Sequence, residues 1–423
     1  MMTRREFLNA SGGAIAATGF GCATTRGERS PSTFTPVHDL MAAQVARNQF
    51  PGAVWLLARG GDIVVDAIGV TAIGGATPMR RDTIFRIASM TKAVTATAVM
   101  MLVEEGKLAL EAPAQRWLPE IADRRVLRRL DGPLDDTVPA RRAITVRDLL
   151  TFTLGFGVVF DGAPPIQRAI DELELVNGQP VPMTPHAPDE WMRRFGTLPL
   201  MHQPGEAWMY NTGSLLQGVL IDRASGRPFD AFVRERILEP LGMRDTGFFV
   251  PAEKLERFAG CGQFTDRRSG TVSRMDRDGA QSAYASLPVF ASGAAGLVST
   301  VDDYLAFARM LLAGGVHDGH RLLSARSVRE MTTDQLTPEQ KARGQFFPNF
   351  FDTHGWGYGV GVSTAPDAIS RVPGRYGWDG GFGTSWINDP SRDLIAIVMT
   401  QSSDFLFSGA LDAFWRSVYA AID

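Results

Sequence analysis

The pattern of apolar and polar residues near the start of the chain predicts a helix followed by a β-hairpin. From Phe34 to Gln49, apolar residues recur with the spacing of a helix that buries one face. Two apolar runs follow at residues 52–59 and 63–68, separated by Gly60-Gly61-Asp62. Short apolar runs joined by a glycine-rich turn are typical of paired antiparallel strands.

A long apolar stretch that begins after Ser89 predicts a buried helix. It runs to Glu105, and Gly106 stands where a glycine commonly ends a helix. From about residue 110 to residue 250, helical patterns such as those at residues 145–150 and 212–224 alternate with proline-rich loops. The middle of the chain is therefore predicted to be mostly helical.

Strands return near the C-terminus. Apolar runs predict strands at residues 355–362, 383–388 and 394–399, with a turn at residues 389–393. Strands at both ends with helices between them favour an α+β fold. We expect one antiparallel sheet, flanked by helices and built from about residues 29–88 and 295–423, with a mostly helical region at about residues 89–294.

Composition places the chain among ordinary soluble globular proteins. Of its 423 residues, 44% are hydrophobic and 21% are charged, enough to bury a sizeable core. The formal net charge of -3 comes from mixed signs along the chain, which leaves no basic face for a phosphate backbone. Nucleic acid is therefore not an expected partner.

The N-terminus has the features of an export signal. Arg4 and Arg5, followed by Phe7 and Leu8, match the twin-arginine pattern that directs folded proteins across the bacterial inner membrane. We expect this signal to occupy residues 1–28, and the protein to be periplasmic.

Only two cysteines occur in the sequence. Cys22 stands where a lipoprotein signal would end, and lipidation there would tether the protein to a membrane. The other is Cys261, so the mature chain has at most one internal disulfide partner. No later run approaches the ~18 apolar residues of a transmembrane helix.

The sequence Ser89-Met90-Thr91-Lys92 places a hydroxyl and an amine on one face of the first turn of the predicted helix. A serine is a weak nucleophile until a neighbouring base takes its proton, and a buried lysine can act as that base. The free N–H groups at a helix start would favour negative charge beside Ser89. A helix N-cap with a solvated lysine is the structural alternative.

The surrounding sequence resembles the serine β-lactamase, penicillin-binding-protein and family VIII esterase superfamily. Ser89 to Lys92 follow Ile84-Phe85-Arg86-Ile87-Ala88 and lead into Gly106-Lys-Leu-Ala-Leu and Ile144-Thr-Val-Arg-Asp-Leu-Leu-Thr. The resemblance extends from about Gly52 to Thr400. It implies a β-lactamase/transpeptidase-like fold, a single catalytic unit at residues 29–423, and Ser89 and Lys92 as nucleophile and activating partner, without a cofactor.

The family's second motif, a tyrosine followed by a short polar pair, falls on Tyr210-Asn211-Thr212. The resemblance implies that Tyr210 lies near Ser89 and Lys92 and shuttles a proton. Relatives have Tyr-x-Asn, whereas here asparagine is the middle residue. Asn211 and Thr212 are therefore expected to contact substrate in a changed arrangement, and which of Lys92 and Tyr210 is the resting base stays open.

The third motif, Lys-Thr-Gly or His-Thr-Gly in relatives, falls on Trp378-Asp379-Gly380-Gly381. Both glycine positions are kept, so the backbone can approach a substrate. The resemblance implies an oxyanion hole from the N–H groups of Ser89 and Gly381, with Trp378, Asp379 and Gly380 binding substrate.

The changes at the first two positions of this motif favour an esterase. Asp379 would repel the carboxylate of a β-lactam, unless Arg371 or Arg375 pairs with it, and Trp378 offers an apolar wall.

Other chemistry has little support in the sequence. No G-x-S-x-G, H-E-x-x-H, C-x-x-C or phosphate-loop motif occurs, and His317 and His320, the two histidines closest together, lie in a turn. No metal site is expected. An aromatic cluster is predicted to be either core or a substrate-lining wall: Phe346, Phe347, Phe350, Phe351, Trp356 and Tyr358.

These features predict a serine hydrolase that forms an acyl-enzyme on small carboxylic esters. One alternative is action on amides, as a β-lactamase, D-Ala carboxypeptidase or D-amino-acid amidase. Another is a non-catalytic periplasmic binding or sensing protein of the same fold.

Overall fold

The computed structural model describes residues 31–160, 162–176, 182–266, 271–344 and 346–423. The predicted export signal and Cys22 lie outside these residues. The strands are β1 (Gly52–Arg59), β2 (Asp62–Gly69), β3 (Phe85–Arg86), β4 (Arg125–Leu127), β5 (Thr137–Pro139), β6 (Gly262–Asp266), β7 (Thr271–Arg274), β8 (Val298–Ser299), β9 (Val316–His317), β10 (His320–Arg321), β11 (His354–Trp356), β12 (Gly361–Ser363), β13 (Tyr376–Gly380), β14 (Thr384–Asp389) and β15 (Leu394–Met399).

The α-helices of the described residues connect these strands or cover them. They are α1 (Thr35–Ala46), α2 (Thr91–Glu104), α3 (Val146–Thr151), α4 (Pro165–Glu172), α5 (Pro188–Gly196), α6 (Thr212–Ser225), α7 (Phe229–Val233), α8 (Val301–Leu312), α9 (Ala325–Met331), α10 (Pro338–Arg343), α11 (Phe350–Thr353), α12 (Asp404–Phe407) and α13 (Ala410–Ile422).

One large antiparallel sheet joins the two ends of the described chain. Its strand order is β11-β12-β13-β14-β15-β1-β2. The hairpin predicted at the start of the chain is β1–β2, and β1 also pairs with β15, so that Leu56 lies opposite Ile397. This confirms the predicted α+β fold with a sheet drawn from both chain ends.

Both faces of the central strands are buried, which explains their continuous apolar runs. In β1, Trp55 and Leu57 pack with residues of α1 and α13 on one face. Val54 and Leu56 point to the opposite face and join the main core, to which α2 and α8 contribute. Successive residues of a strand point to opposite faces, so a strand covered on both sides shows no polar alternation.

Three of the helix predictions are confirmed closely. The helix after Ser89 is α2, and Gly106 follows it with φ +71°, as expected of a glycine at a helix end. The helices predicted at residues 145–150 and 212–224 are α3 and α6. Thr145 and Asp148 fix the start of α3 by capping each other's backbone N–H groups.

Two predicted boundaries are wrong. The first helix ends at Ala46 rather than Gln49, because a turn follows in which the Gln49 N–H donates to the Gln44 carbonyl at 3.0 Å. The strand predicted at residues 355–362 is two strands, β11 and β12. Gly357 donates to the Val360 carbonyl at 2.9 Å and Gly359 has φ +75°, which closes a hairpin inside the apolar run.

The described residues also contain elements that the sequence patterns did not indicate. Helices α8 to α11 lie within the stretch expected to form sheet, and short two-stranded ribbons β4–β5 and β6–β7 lie within the stretch expected to be helical. Among the described helices, none combines the length and the apolar character needed to cross a bilayer.

Candidate active site

Ser89 lies in a single 3₁₀ turn, Ala88–Met90, that leads directly into α2. The preceding Ala88 has φ +42°, a left-handed conformation that residues with a Cβ rarely adopt. The Met90 N–H closes the turn on the Ile87 carbonyl at 3.1 Å. This turn is fixed between β3 and α2, so it holds the Ser89 hydroxyl at the helix start, as the sequence predicted.

Lys92 is completely buried beneath Ser89. Its Nζ atom lies 2.9 Å from Ser89 Oγ and 2.8 Å from the Ala294 carbonyl oxygen. Both neighbours are uncharged. Burial lowers the pKa of Lys92 well below its usual value, because an ammonium group loses its hydration there. The structure therefore brings the two residues together, and the alternative of a solvated lysine is wrong.

Tyr210 is held by a tight turn at the start of α6. Asn211 has φ +84° and ψ -55°, and the Thr212 N–H donates to the Tyr210 carbonyl at 3.2 Å, which makes a γ-turn. Burial raises the pKa of the Tyr210 phenol, although Ser89 and Trp378 act in the opposite direction. The Lys92 Nζ lies 4.5 Å from the centre of the Tyr210 ring. Asn211 and Thr212 are buried beside this turn.

Trp378, which lies on β13, contacts the hydroxyl of Tyr210. Its indole Nε1–H donates to the Tyr210 hydroxyl at 2.8 Å, and the side chain is almost fully buried. Trp378 therefore provides a hydrogen bond as well as the apolar wall that the sequence predicted. A neutral N–H here replaces the cationic lysine or histidine expected from the family resemblance.

The backbone at the end of β13 lies against the Ser89 turn. A Cβ on Gly380 would collide with the Thr384 hydroxyl and the Ile87 carbonyl oxygen, so only glycine fits. Gly381 follows directly, and the Gly383 N–H closes the next turn on the Gly380 carbonyl at 2.8 Å. Gly380 thus lets β13 lie directly against the Ile87 carbonyl beside the Ser89 turn, and the oxyanion hole from the N–H groups of Ser89 and Gly381 stays a prediction.

Asp379 does not face the serine. Adjacent residues of a strand point to opposite faces, so Asp379 points away from the side on which Trp378 contacts Tyr210. Its carboxylate accepts a hydrogen bond from Ser385 Oγ. Arg375 pairs with Asp367 instead, so its predicted pairing with Asp379 is wrong. The charge of Asp379 nevertheless contributes to the raised pKa of Tyr210, and its expected role in binding substrate or repelling an anion stays a prediction.

Aromatic rings surround Tyr210 and Trp378. Phe346 stacks on Trp378 at a centroid distance of 5.8 Å, and it lies 5.4 Å from Tyr210. The Trp356 ring lies 4.7 Å from Trp378. We call this set the aromatic box; its members are Phe152, Trp208, Tyr210, Leu336, Phe346, Phe350, Phe351, Trp356 and Trp378.

The aromatic cluster predicted from the sequence is divided by the structure. Four of its residues belong to the aromatic box: Phe346, Phe350, Phe351 and Trp356. Tyr358 lies apart, in the main core, where its hydroxyl accepts a hydrogen bond from Arg147. Phe347 is exposed.

A segment that no recognised sequence motif indicated holds Lys92 from the side opposite Ser89. Besides Ala294, whose carbonyl contacts Lys92, Gly293 accepts a hydrogen bond from Thr95 at 2.8 Å, and the Leu297 N–H donates to Thr91 at 3.1 Å. The run Ser292-Gly-Ala-Ala-Gly-Leu297 was the available signal. Its small residues allow the backbone to approach α2 closely.

Among the described residues, no group of three histidine, cysteine or acidic side chains is placed to hold a metal ion. His317 and His320 pair across the β9–β10 ribbon, and His320 is exposed. The described Cys261 carries a buried free thiol whose pKa burial raises to about 12.

An antiparallel sheet from both chain ends, packed on a helix that begins with a serine–lysine pair, defines a β-lactamase/transpeptidase-like fold. The family model described as Beta-lactamase matches residues 37–420. The chain therefore belongs to the β-lactamase family.

Two curated relatives and one solved structure show the range of this family. Protein Rv1367c of Mycobacterium tuberculosis is 44% identical over 343 residues, covering 80% of this chain and 82% of that one. Esterase EstB of Burkholderia gladioli is 34% identical over 387 residues, which cover 87% of this chain and 91% of that protein. The structure of EstCE1, described as a hydrolase with promiscuous acyltransferase activity, matches with a TM-score of 0.74 at 22% identity. The match covers 92% of this chain and 98% of EstCE1.

Proposed function

We propose that this protein is a serine esterase in which Ser89 forms an acyl-enzyme. The observation that carries the proposal is the contact of 2.9 Å between Ser89 Oγ and the buried, uncompensated amine of Lys92. A nucleophile beside a neutral base is the arrangement that acyl transfer requires. The similarity to Esterase EstB supports an ester as the acyl donor.

Lys92 is the base of the resting enzyme in this proposal. Burial lowers the pKa of Lys92 and raises that of Tyr210, so the neutral amine coexists with a protonated phenol. A neutral amine can donate one hydrogen to the Ala294 carbonyl and keep its lone pair for the proton of Ser89. The ammonium that forms faces the Tyr210 ring, which stabilises a cation.

The first step then forms a bond between Ser89 Oγ and the ester carbonyl carbon, while the serine proton passes to Lys92. The oxyanion accepts hydrogen bonds from the N–H groups of Ser89 and Gly381. As the bond to the alcohol oxygen breaks, Tyr210 donates its proton to that oxygen and is reprotonated by Lys92. Water repeats the sequence on the acyl-enzyme, releasing the acid and restoring Ser89.

Trp378 favours an ester over a β-lactam in this proposal. Its indole occupies the position where relatives carry a cation that binds a carboxylate, and it offers the Tyr210 hydroxyl a neutral donor. The aromatic box around it is apolar. An uncharged ester therefore meets matching surroundings, whereas a substrate carboxylate would lose its hydration without gaining an ion pair.

The test is hydrolysis of p-nitrophenyl acetate by the mature protein and by its Ser89→Ala variant, with a chromogenic cephalosporin in parallel. We expect ester turnover that the substitution removes, and little cephalosporin turnover. Full activity in the variant would refute Ser89 as nucleophile. Cephalosporin turnover as fast as ester turnover would favour the amide alternative, and a stable Ser89 adduct without turnover would favour the binding protein.

A further inference from the structure

Three phenylalanines form an exposed surface outside the aromatic box. The exposed fractions of Phe160, Phe347 and Phe407 are 43%, 50% and 67%. Ring centres lie 6.1 Å apart between Phe160 and Phe347, and 6.0 Å apart between Phe347 and Phe407. We call these three residues the aromatic patch.

The aromatic patch is a concentration of apolar surface that the core does not require. Phe249 is the other strongly exposed aromatic side chain of the described residues, and it lies elsewhere, beside Phe248 and Lys254. The three patch residues come from separate segments: the loop after α3, the segment before α11, and α12. Contiguous exposed apolar surface is uncommon on soluble proteins and commonly marks a binding site.

The aromatic patch is continuous with the candidate active site. The Phe160 ring lies 6.2 Å from the Tyr210 ring, measured between centres. Phe346 joins the two regions, since its ring centre lies 5.4 Å from that of Tyr210 and 4.6 Å from that of Phe347. Aromatic side chains are thus in continuous contact from Tyr210 to the exposed patch.

We infer that the aromatic patch binds the alcohol part of the substrate, and that this part is a bulky aromatic group. The inference rests on the proposed function, in which Tyr210 protonates the departing alcohol oxygen. The alcohol then lies beside Tyr210, where Phe160 and Phe346 lead outward to the patch. Phenyl rings offer faces and edges that favour another aromatic ring over a charged group.

Three esters test this assignment in one assay, the titration of released acid. 1-Naphthyl acetate carries an aromatic alcohol, ethyl 1-naphthoate carries the same ring on the acyl side, and ethyl acetate carries no ring. Each is measured with the full mature protein, with Phe347→Ala and with Phe407→Ala. Phe249→Ala is the matched control, because it removes an exposed phenyl ring outside the patch.

We expect each patch substitution to raise the KM for 1-naphthyl acetate by about tenfold, the effect of losing the apolar contact of one ring. The values for ethyl acetate and ethyl 1-naphthoate should stay unchanged, and Phe249→Ala should alter none of the three.

An equal loss on all three esters would show a structural role and overturn the inference. A loss confined to ethyl 1-naphthoate would overturn the assignment to the alcohol side, and unchanged values throughout would remove the patch from substrate binding. Absence of Ser89-dependent turnover of all three esters would instead refute the proposed function, and the role of the patch with it.

Discussion

The charge of Lys92 can be measured through the stability of the protein. The hydrogen bonds of its amine go to Ser89 and to the Ala294 carbonyl, neither of which compensates a positive charge. Lys92→Met removes the titrating group and keeps a long apolar side chain of similar length. The pH dependence of the stability difference between wild type and variant then shows whether Lys92 carries a proton in the folded state.

The expected magnitude follows from linkage. Because the pKa of Lys92 is lowered in the folded state, the unfolded state binds one more proton between that pKa and about 10.4, its unfolded value. The free energy of unfolding therefore rises with pH in this window by about 1.4 kcal/mol per pH unit. If Lys92 is neutral at pH 7, the free energy of unfolding of the wild type should rise by about 2.7 kcal/mol more than that of Lys92→Met between pH 7 and pH 9.

Thermal unfolding of both proteins at the two pH values is the assay. With an unfolding entropy of about 2.1 cal/mol/K per residue over roughly 400 residues, this gain raises the Tm of the wild type relative to the variant by about 3 °C. Other groups titrate alike in both proteins, so their contributions cancel. A Tm difference that is the same at both pH values would show that Lys92 stays charged in the fold, and would refute Lys92 as the base.

Three further variants test other parts of the molecule. Trp378→Phe keeps an aromatic side chain but removes the N–H donor to Tyr210, so kcat for p-nitrophenyl acetate should fall by about tenfold while KM changes little. Gly380→Ala should lower the free energy of unfolding by about 1–3 kcal/mol, measured by denaturant titration, because the added methyl collides with the serine turn. The double substitution Arg4→Lys and Arg5→Lys should block export, so that the protein is absent from the periplasmic fraction of the expressing cells.

Each of these predictions has a control. Trp415→Phe alters a buried tryptophan on the other side of the sheet and should leave kcat unchanged. Gly247→Ala adds a methyl that makes only ordinary contact, 3.6 Å from the nearest atom, and should leave stability unchanged. A wild-type kcat in Trp378→Phe would contradict the role of the indole N–H, and wild-type stability in Gly380→Ala would contradict the close packing at Gly380. Normal export without the arginine pair would contradict the export signal.

Most of the fold could be predicted from the sequence because the features that mark its helices and strands lie close together along the chain. The helix at residues 91–104 begins after a serine and ends at a glycine, and β15 at residues 394–399 is a continuous apolar run, so both were predicted within a residue or two. The division of the run at residues 355–362 was not predictable in the same way. It depends on the Gly357–Val360 hydrogen bond, which a pattern of apolar residues does not show.

The candidate site was predictable where residues lie close in sequence or belong to a motif. Ser89 and Lys92 are one helical turn apart, and Tyr210 and Trp378 occupy motif positions. The contact of Lys92 with Ala294 joins residues far apart in sequence through a backbone carbonyl, which no side-chain pattern indicates. The direction of Asp379 was missed because the sequence left open which face of β13 meets the serine.

The pairing of β1 with β15 has a consequence for synthesis of the chain. Val54 pairs with Met399, so one edge of β1 stays unpaired until residue 399 has left the ribosome. At ~5–20 residues per second, this interval lasts on the order of tens of seconds. An apolar strand exposed for so long invites aggregation, so we expect chaperones to shield the β1–β2 hairpin during translation. An export route that accepts folded proteins would suit a chain in which β1 and its partner β15 are synthesised so far apart in time.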